Sequence, residues 1–134
     1  MEKKRVLVDM SFTIPHHGHI RLIKKASKLG KVIVALTSDS EIKKKKGYKP
    51  ELNFKQRKEI LESNKHITKV IKSPWLINDK FIKKNKIDIL VHGNDNKNKV
   101  TKAKIVLFKR TRNISSNLIR KKGYFNLSKI KSKK

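Results

Sequence analysis

His16 and His19 lie three residues apart with Gly18 between them, just behind the apolar run Val6-Leu7-Val8. That run reads as a buried strand, and Ile20 to Leu29 reads as a helix. The histidines therefore fall where a strand hands over to a helix, the place where open α/β sheets bind ligands. A helix start offers free backbone N–H groups and a partial positive charge, both suited to phosphate. Gly18 lets the backbone come close to a ligand. The imidazoles could bind a metal, yet no further carboxylate or histidine stands at ligand spacing nearby. They could instead stabilise negative charge on a phosphoryl group in flight, which calls for preorganised donors and no nucleophile. The helix start behind them favours phosphoryl chemistry, and no metal site of the protein's own is expected.

A second stretch follows the same logic. Arg110-Thr111-Arg112-Asn113-Ile114-Ser115-Ser116 places an arginine before two good N-cap residues. It reads either as an anion site or as an ordinary cap beside a solvated arginine. Two anion-seeking helix starts at one crevice would suit a polyphosphate. Gly93-Asn94-Asp95 offers a carboxylate to a ribose or a base amino group, or is simply a turn. Lys43 to Lys49 is a lysine run with Gly47, followed by Pro50. It reads as a mobile solvated loop, or as a flap that clamps phosphate through Lys46. No Walker lysine motif and no GxGxxG occurs, which argues against a P-loop enzyme or a dinucleotide oxidoreductase.

The elements needed to position these residues alternate. Arg5–Asp9 is the first strand, and the first helix ends at Gly30. Lys31–Thr37 is apolar almost throughout, as in a parallel strand buried on both faces. A polar segment runs to Asn53, which with Gln56 forms a capping box for a helix over Phe54–Asn64. Val70-Ile71 is a short strand, Asn78 caps a helix to about Lys84, and Ile87–His92 is the fourth strand. A helix or turn fills Lys97–Ala103, Lys104–Phe108 is the fifth strand, and a short helix runs to about Lys121. This predicts a Rossmann-like, doubly wound parallel sheet of order 3-2-1-4-5 with helices on both faces. The order reverses between strands one and four, so the unusual loops gather at one end of the sheet.

A chain of 134 residues suggests one domain, here 1–122, with 123–134 as a loose basic tail. There are no cysteines, which suits a reducing cytoplasm. Met1–Arg5 is basic, but Asp9 breaks the apolar run behind it, so no signal peptide is expected. No apolar run approaches the ~20 residues of a membrane span. Net charge is +27, which invites nucleic acid. The excess, however, is mostly lysine spread along the whole chain, with arginine scarce. Composition bias explains that better than a designed patch does.

His16-x-Gly18-His19 resembles the HxGH signature of the nucleotidyltransferase superfamily. The order HxGH, lysine run, Gln56-Arg57-Lys58-Glu59-Ile60-Leu61, Gly-x-Asp, R-T-x-x-I-S-S resembles the cytidylyltransferases, above all the glycerol-3-phosphate type. The resemblance covers roughly Val6 to Arg120. It implies transfer of CMP from CTP to a phosphorylated alcohol, with pyrophosphate leaving and Mg²⁺ bridging the triphosphate. It implies that His16 and His19 steady the α-phosphate, and that Ser11, Phe12 and Gly18 line the nucleotide loop. Gly93 and Asp95 would face the nucleoside. Arg110, Thr111, Ile114, Ser115 and Ser116 would cradle the leaving phosphates, while Lys46 and Arg57 would hold phosphates of acceptor or nucleotide. Departures fall at Met10, Thr13, Asn94, Asn96, Lys65, Thr68 and Asn113, mostly on positions that shape acceptor and base pockets. Two other readings stay open: ATP as the donor, and a non-catalytic basic module that binds nucleic acid. A homodimer is compatible with either enzyme reading.

Overall fold

The computed structural model describes residues 3–130. Five parallel strands form one sheet, β1 (Arg5–Met10), β2 (Lys31–Thr37), β3 (Ile67–Ser73), β4 (Ile89–Gly93) and β5 (Lys104–Phe108), in the order β3-β2-β1-β4-β5. Five helices connect or follow them: α1 (His17–Ser27), α2 (Asp39–Lys46), α3 (Phe54–Glu62), α4 (Asp79–Lys84) and α5 (Ser116–Lys129). This is the doubly wound order expected from the alternation.

Alternation along the central strand divides the core. Val6, Val8 and Met10 pack with Ile23 and Ala26 of α1 and Leu61 of α3. Leu7 points the other way, to Ile77, Ile82 and Leu90 on the α4 side. Asp9 follows Leu7 by two, and His92 follows Leu90 by two. The period of a strand therefore sends both side chains to the α4 face. The β1–β4 pairing ends at Val8↔Val91. Beyond it Asp9 and Met10 diverge from His92 and Gly93, and a crevice opens there.

Several segments differ from the sequence-based expectation. The lysine run is not a loose flap, because Asp39–Lys46 is helical. Ser38 caps it by accepting from Glu41 N–H at 3.3 Å, and Ile42 anchors it in the interior. Asp39 and Glu41 fall in the first turn and Lys43–Lys46 in the last, where the helix dipole favours each sign. Gly47, at φ 84°, ends the helix in the left-handed conformation.

Residues 97–103 contain no helix. Asp79 holds them flat, accepting from the N–H of Thr101 and Lys102 and from the Thr101 hydroxyl. β3 is longer than the Val70-Ile71 core that sequence suggested, because β2 pairs along its whole length. α5 does not stop near Lys121. It crosses Gly123 and reaches Lys129, so the expected boundary at 122/123 falls inside a helix. One interior glycine costs about 1 kcal/mol, too little to break a helix rich in Leu, Ile, Arg and Lys. Residues 131–134 of the expected tail lie outside the described residues. No described helix is long and apolar enough to cross a membrane.

Candidate active site

The HxGH stretch is a helix cap built from its own histidines. His16 is the N-cap of α1, and its Nδ1 accepts from Gly18 N–H at 3.1 Å. His19 reaches back, and its Nδ1 accepts from His16 N–H at 3.3 Å. This is the reciprocal arrangement of a capping box, with imidazoles in place of the usual hydroxyl and carboxyl. Two consequences follow. The rings are locked side by side, centroids 3.9 Å apart. And because each Nδ1 is an acceptor, the neutral ring must carry its proton on Nε2. The helix start thus fixes the tautomer of both histidines and leaves two Nε2–H donors.

Burial, then repulsion from a neighbouring His16 that cannot be charged at the same time and from Arg110, pushes the His19 pKa down to about 3. Burial, then His17 and Arg110, also lower that of His16. Gly18 completes the arrangement: a Cβ there would lie 2.9 Å from the His16 ring and 3.3 Å from Ile114. Its role is to let the His16 ring sit over the helix start.

These residues line a cleft of about 480 Å³ at the C-terminal ends of the strands. Ser11, His16, Gly18, His19, Gly93 and Asp95 open onto it, as do Arg110, Thr111, Ile114, Ser115 and Ser116. Ser115 caps α5, accepting from Leu118 N–H at 3.1 Å, so a second helix start faces the same space. Asn113 has φ 60°, the left-handed backbone that asparagine tolerates. Arg110 donates through Nη2 to Asp95 Oδ2. Burial opposes the charge on Asp95, but the hydrogen bond and charge of Arg110, with a weaker pull from His92, hold its carboxyl below the usual range. Lys46, at the end of α2, also reaches the cleft, its Nζ 5.4 Å from the centre of the Trp75 ring.

Two expected site residues are not at the cleft surface. Phe12 is 1% exposed and belongs to the core. It supports His19 from behind and does not line the nucleotide loop. Arg57 is 0% exposed and fully engaged within the protein. Its Nε donates to Leu52 O, Nη1 to Ser11 O and Thr37 O, and Nη2 to Asp39 Oδ1. A guanidinium so enclosed cannot also hold a substrate phosphate. It instead ties the Ser11 loop to the end of β2 and the start of α2.

The structure also brings residues to the cleft that sequence reasoning passed over. His92 Nδ1 lies 2.5 Å from Asp9 Oδ1, and Asn98 Nδ2 donates to Asp9 Oδ2 at 3.0 Å. Burial resists a charge on His92, but hydrogen bonding and charge from Asp9, with help from Asp95, raise its pKa overall. The signal was present: a carboxylate inside an apolar strand and a histidine ending another, on strands that must be neighbours. Arg120 of α5 is the other. It donates to both oxygens of Glu51 and to Thr13 Oγ1, and stacks over Tyr48 with 4.9 Å to the ring centre. Its spacing of four from Ser116 puts it on the face of α5 that meets the domain.

Residues 7–122 match the family model described as Cytidylyltransferase-like. The chain belongs to that family. It is a nucleotidyltransferase. This cytidylyltransferase-like chain is 33% identical over 129 residues to the glycerol-3-phosphate cytidylyltransferase of Staphylococcus aureus, covering 90% of this chain and 96% of that protein. It is 38% identical over 93 residues to the FAD synthase of Pyrococcus abyssi, covering 68% and 63% respectively. Among solved structures, the lipopolysaccharide core biosynthesis protein of Thermoplasma volcanium superposes with a TM-score of 0.69 at 26% identity, covering 81% of this chain and 98% of that one.

Proposed function

We propose that this nucleotidyltransferase moves CMP from CTP to a phosphorylated alcohol of the glycerol-3-phosphate kind, releasing pyrophosphate. The observation that carries the reading is the all-histidine cap. It leaves two neutral Nε2–H donors on rings that line one cleft together with Arg110 and the start of α5. A phosphate oxygen of the acceptor attacks the α-phosphorus of the nucleotide, and the bond from that phosphorus to the bridging oxygen of pyrophosphate breaks. The acceptor is already an anion at neutral pH, so no general base is required. What the step needs is a set of donors that gain strength as charge builds on the α-phosphate oxygens. His16 and His19 supply it. Arg110, Thr111, Ser115 and Ser116 hold the departing phosphates, with Ile114 packed beneath. Ser11, Gly93 and Asp95 border the nucleoside, and Lys46 faces the acceptor.

The cleft's donor set is cationic, and among the described residues no group of three or more His, Cys, Asp or Glu could hold a metal ion. Such a lining fits Mg²⁺ carried in on the triphosphate's own oxygens. When bound, the ion neutralises charge on the leaving pyrophosphate. The relatives named glycerol-3-phosphate cytidylyltransferase, matched along nearly their whole length, support CTP and that acceptor.

A second reading has its own support. Relatives named FAD synthase reach 38% identity, and the product they are named for contains adenine, which favours ATP as donor. Pyrophosphate release separates the two. CTP and ATP are each offered with glycerol 3-phosphate and a panel of other phosphorylated alcohols and sugars. Turnover of CTP with glycerol 3-phosphate is the expected result. Turnover of ATP alone, or no turnover with any acceptor, would overturn it.

A further inference from the structure

Arg110 is already engaged before any ligand arrives. Its Nη2 is bound to Asp95 Oδ2. That contact uses one edge of the guanidinium; an Arg110 turned fully onto a polyphosphate gives it up, and a bare carboxylate beside phosphate is repelled. The other oxygen of Asp95, Oδ1, lies 3.7 Å from Nε2 of His92. His92 in turn is fixed through Nδ1 by Asp9, which Asn98 holds in place. A line of alternating charge therefore runs from the buried floor of the crevice to its mouth: Asp9, His92, Asp95, Arg110. It crosses the gap where the pairing of β1 and β4 has ended.

We propose that His92 is a positioning residue that takes over the Asp95 carboxylate when Arg110 turns to the polyphosphate of a bound nucleotide. This rests on the assignment of Arg110 to phosphate. The 3.7 Å gap is outside hydrogen-bond range, and a closing movement of about 1 Å brings Nε2–H and Oδ1 to a charge-assisted bond. The bond requires His92 protonated, with Nδ1–H on Asp9 and Nε2–H on Asp95. The charged groups facing His92 are Asp9 from β1, Asp95 from the loop after β4, and Arg110 from the loop after β5. Two of these favour the proton and Arg110 opposes it. Departure of Arg110 therefore strengthens the state that the handover needs. A simple strut between β1 and β4 would hold Asp9 and ignore the ligand.

Histidine NMR titration of the whole chain, with and without inorganic tripolyphosphate, tests this. The His92 pKa should rise by about one unit with tripolyphosphate. In Asp95→Asn, where the phosphate charge and the departure of Arg110 still act on His92 but no carboxylate is handed over, less than half of that rise should remain. His92→Gln should weaken tripolyphosphate about fivefold at pH 6.5, and by less as the pH rises and wild-type His92 loses its proton. Calorimetry on Arg110→Ala separates the two layers. Unchanged tripolyphosphate binding in that variant overturns the phosphate assignment, and the handover with it. Weakened binding there, with a His92 pKa that does not move or moves equally in Asp95→Asn, overturns the handover alone.

Discussion

Phe12 meets His19 edge-on, ring centroids 4.8 Å apart and planes at 76°. The contact exists because Phe12 holds a left-handed backbone, φ 53°, unusual for a bulky side chain. That turn drops its ring into the core against the His19 imidazole. Strain of this kind persists only where packing overrides it, and it clusters at functional sites. Phe12→Ala should cost about 3–5 kcal/mol in urea unfolding, the usual scale for emptying a buried phenylalanine site. Phe12→Leu should keep most of that stability while leaving His19 without its edge contact. Its kcat should fall more than its nucleotide affinity does. Equal, proportionate losses in both would mean that Phe12 only fills space.

The capping box gives the two histidines two jobs, and a pair of substitutions separates them. His16→Ala removes an N-cap, worth about 1 kcal/mol, along with an Nε2–H donor. His16→Asn restores the cap, since asparagine serves well at that position, without restoring the donor. Thermal unfolding should show His16→Asn near wild type and His16→Ala below it. Both should lose kcat by ~100-fold or more, with nucleotide dissociation constants little altered. Recovery of kcat in His16→Asn would show that the cap alone matters.

His19 sets an acid limit. Its pKa in the fold is pushed down to about 3, against an ordinary 6.5. Below pH 6.5 the unfolded chain takes up a proton at this residue while the native chain does not. The stability it contributes is therefore present above that pH and lost progressively as pH falls towards 3. The scale is on the order of 5 kcal/mol across the window. His92 has the opposite sign, because its raised pKa favours the fold at low pH and loses that benefit as pH rises through the folded value. Urea midpoints from pH 7 to pH 4 should fall in the wild type and fall less steeply in His19→Asn. Parallel slopes would place the acid sensitivity elsewhere.

How much of this was legible in the sequence differs by residue, for physical reasons. The sheet order followed from strands of continuous apolar residues and from crossover handedness, and both are local or universal rules. His16, His19, Ser115 and Arg110 were legible because each sits at a strand-to-helix switch that the pattern locates. Arg57 was misread because burial of a guanidinium depends on acceptors contributed by Ser11, Thr37, Asp39 and Leu52, scattered along the chain. Asp9 and His92 were overlooked as a pair for the same reason: 83 residues separate them, and only the strand register brings them together. Taken alone, the lysine run reads as a mobile loop or a flap. Its placement at the end of a capped helix, where cations are favoured, was the local signal that should have outweighed that.

Arg57 offers the sharpest separation of framework from chemistry. Its side chain is 0% exposed and its guanidinium donates to three carbonyls and one carboxylate. Removing one partner of a buried charged network leaves the other groups desolvated and unpaired, typically at a cost of about 3–5 kcal/mol. Arg57→Met should therefore lower the unfolding midpoint sharply. Arg57→Lys should recover little of it, because an ammonium cannot reproduce a planar fork that spans Leu52, Ser11, Thr37 and Asp39. The carbonyl of Ser11 borders the cleft, so loss of its partner should loosen the loop that carries His16. Nucleotide binding measured at low temperature, on protein shown to be folded, should weaken only a few-fold. A residue that grips phosphate would behave in reverse, with a near-normal unfolding midpoint and a KM for acceptor or nucleotide raised about a hundredfold. That second pattern would return Arg57 to the substrate site, and the first would fix it as the pin that holds the Ser11 loop against the sheet.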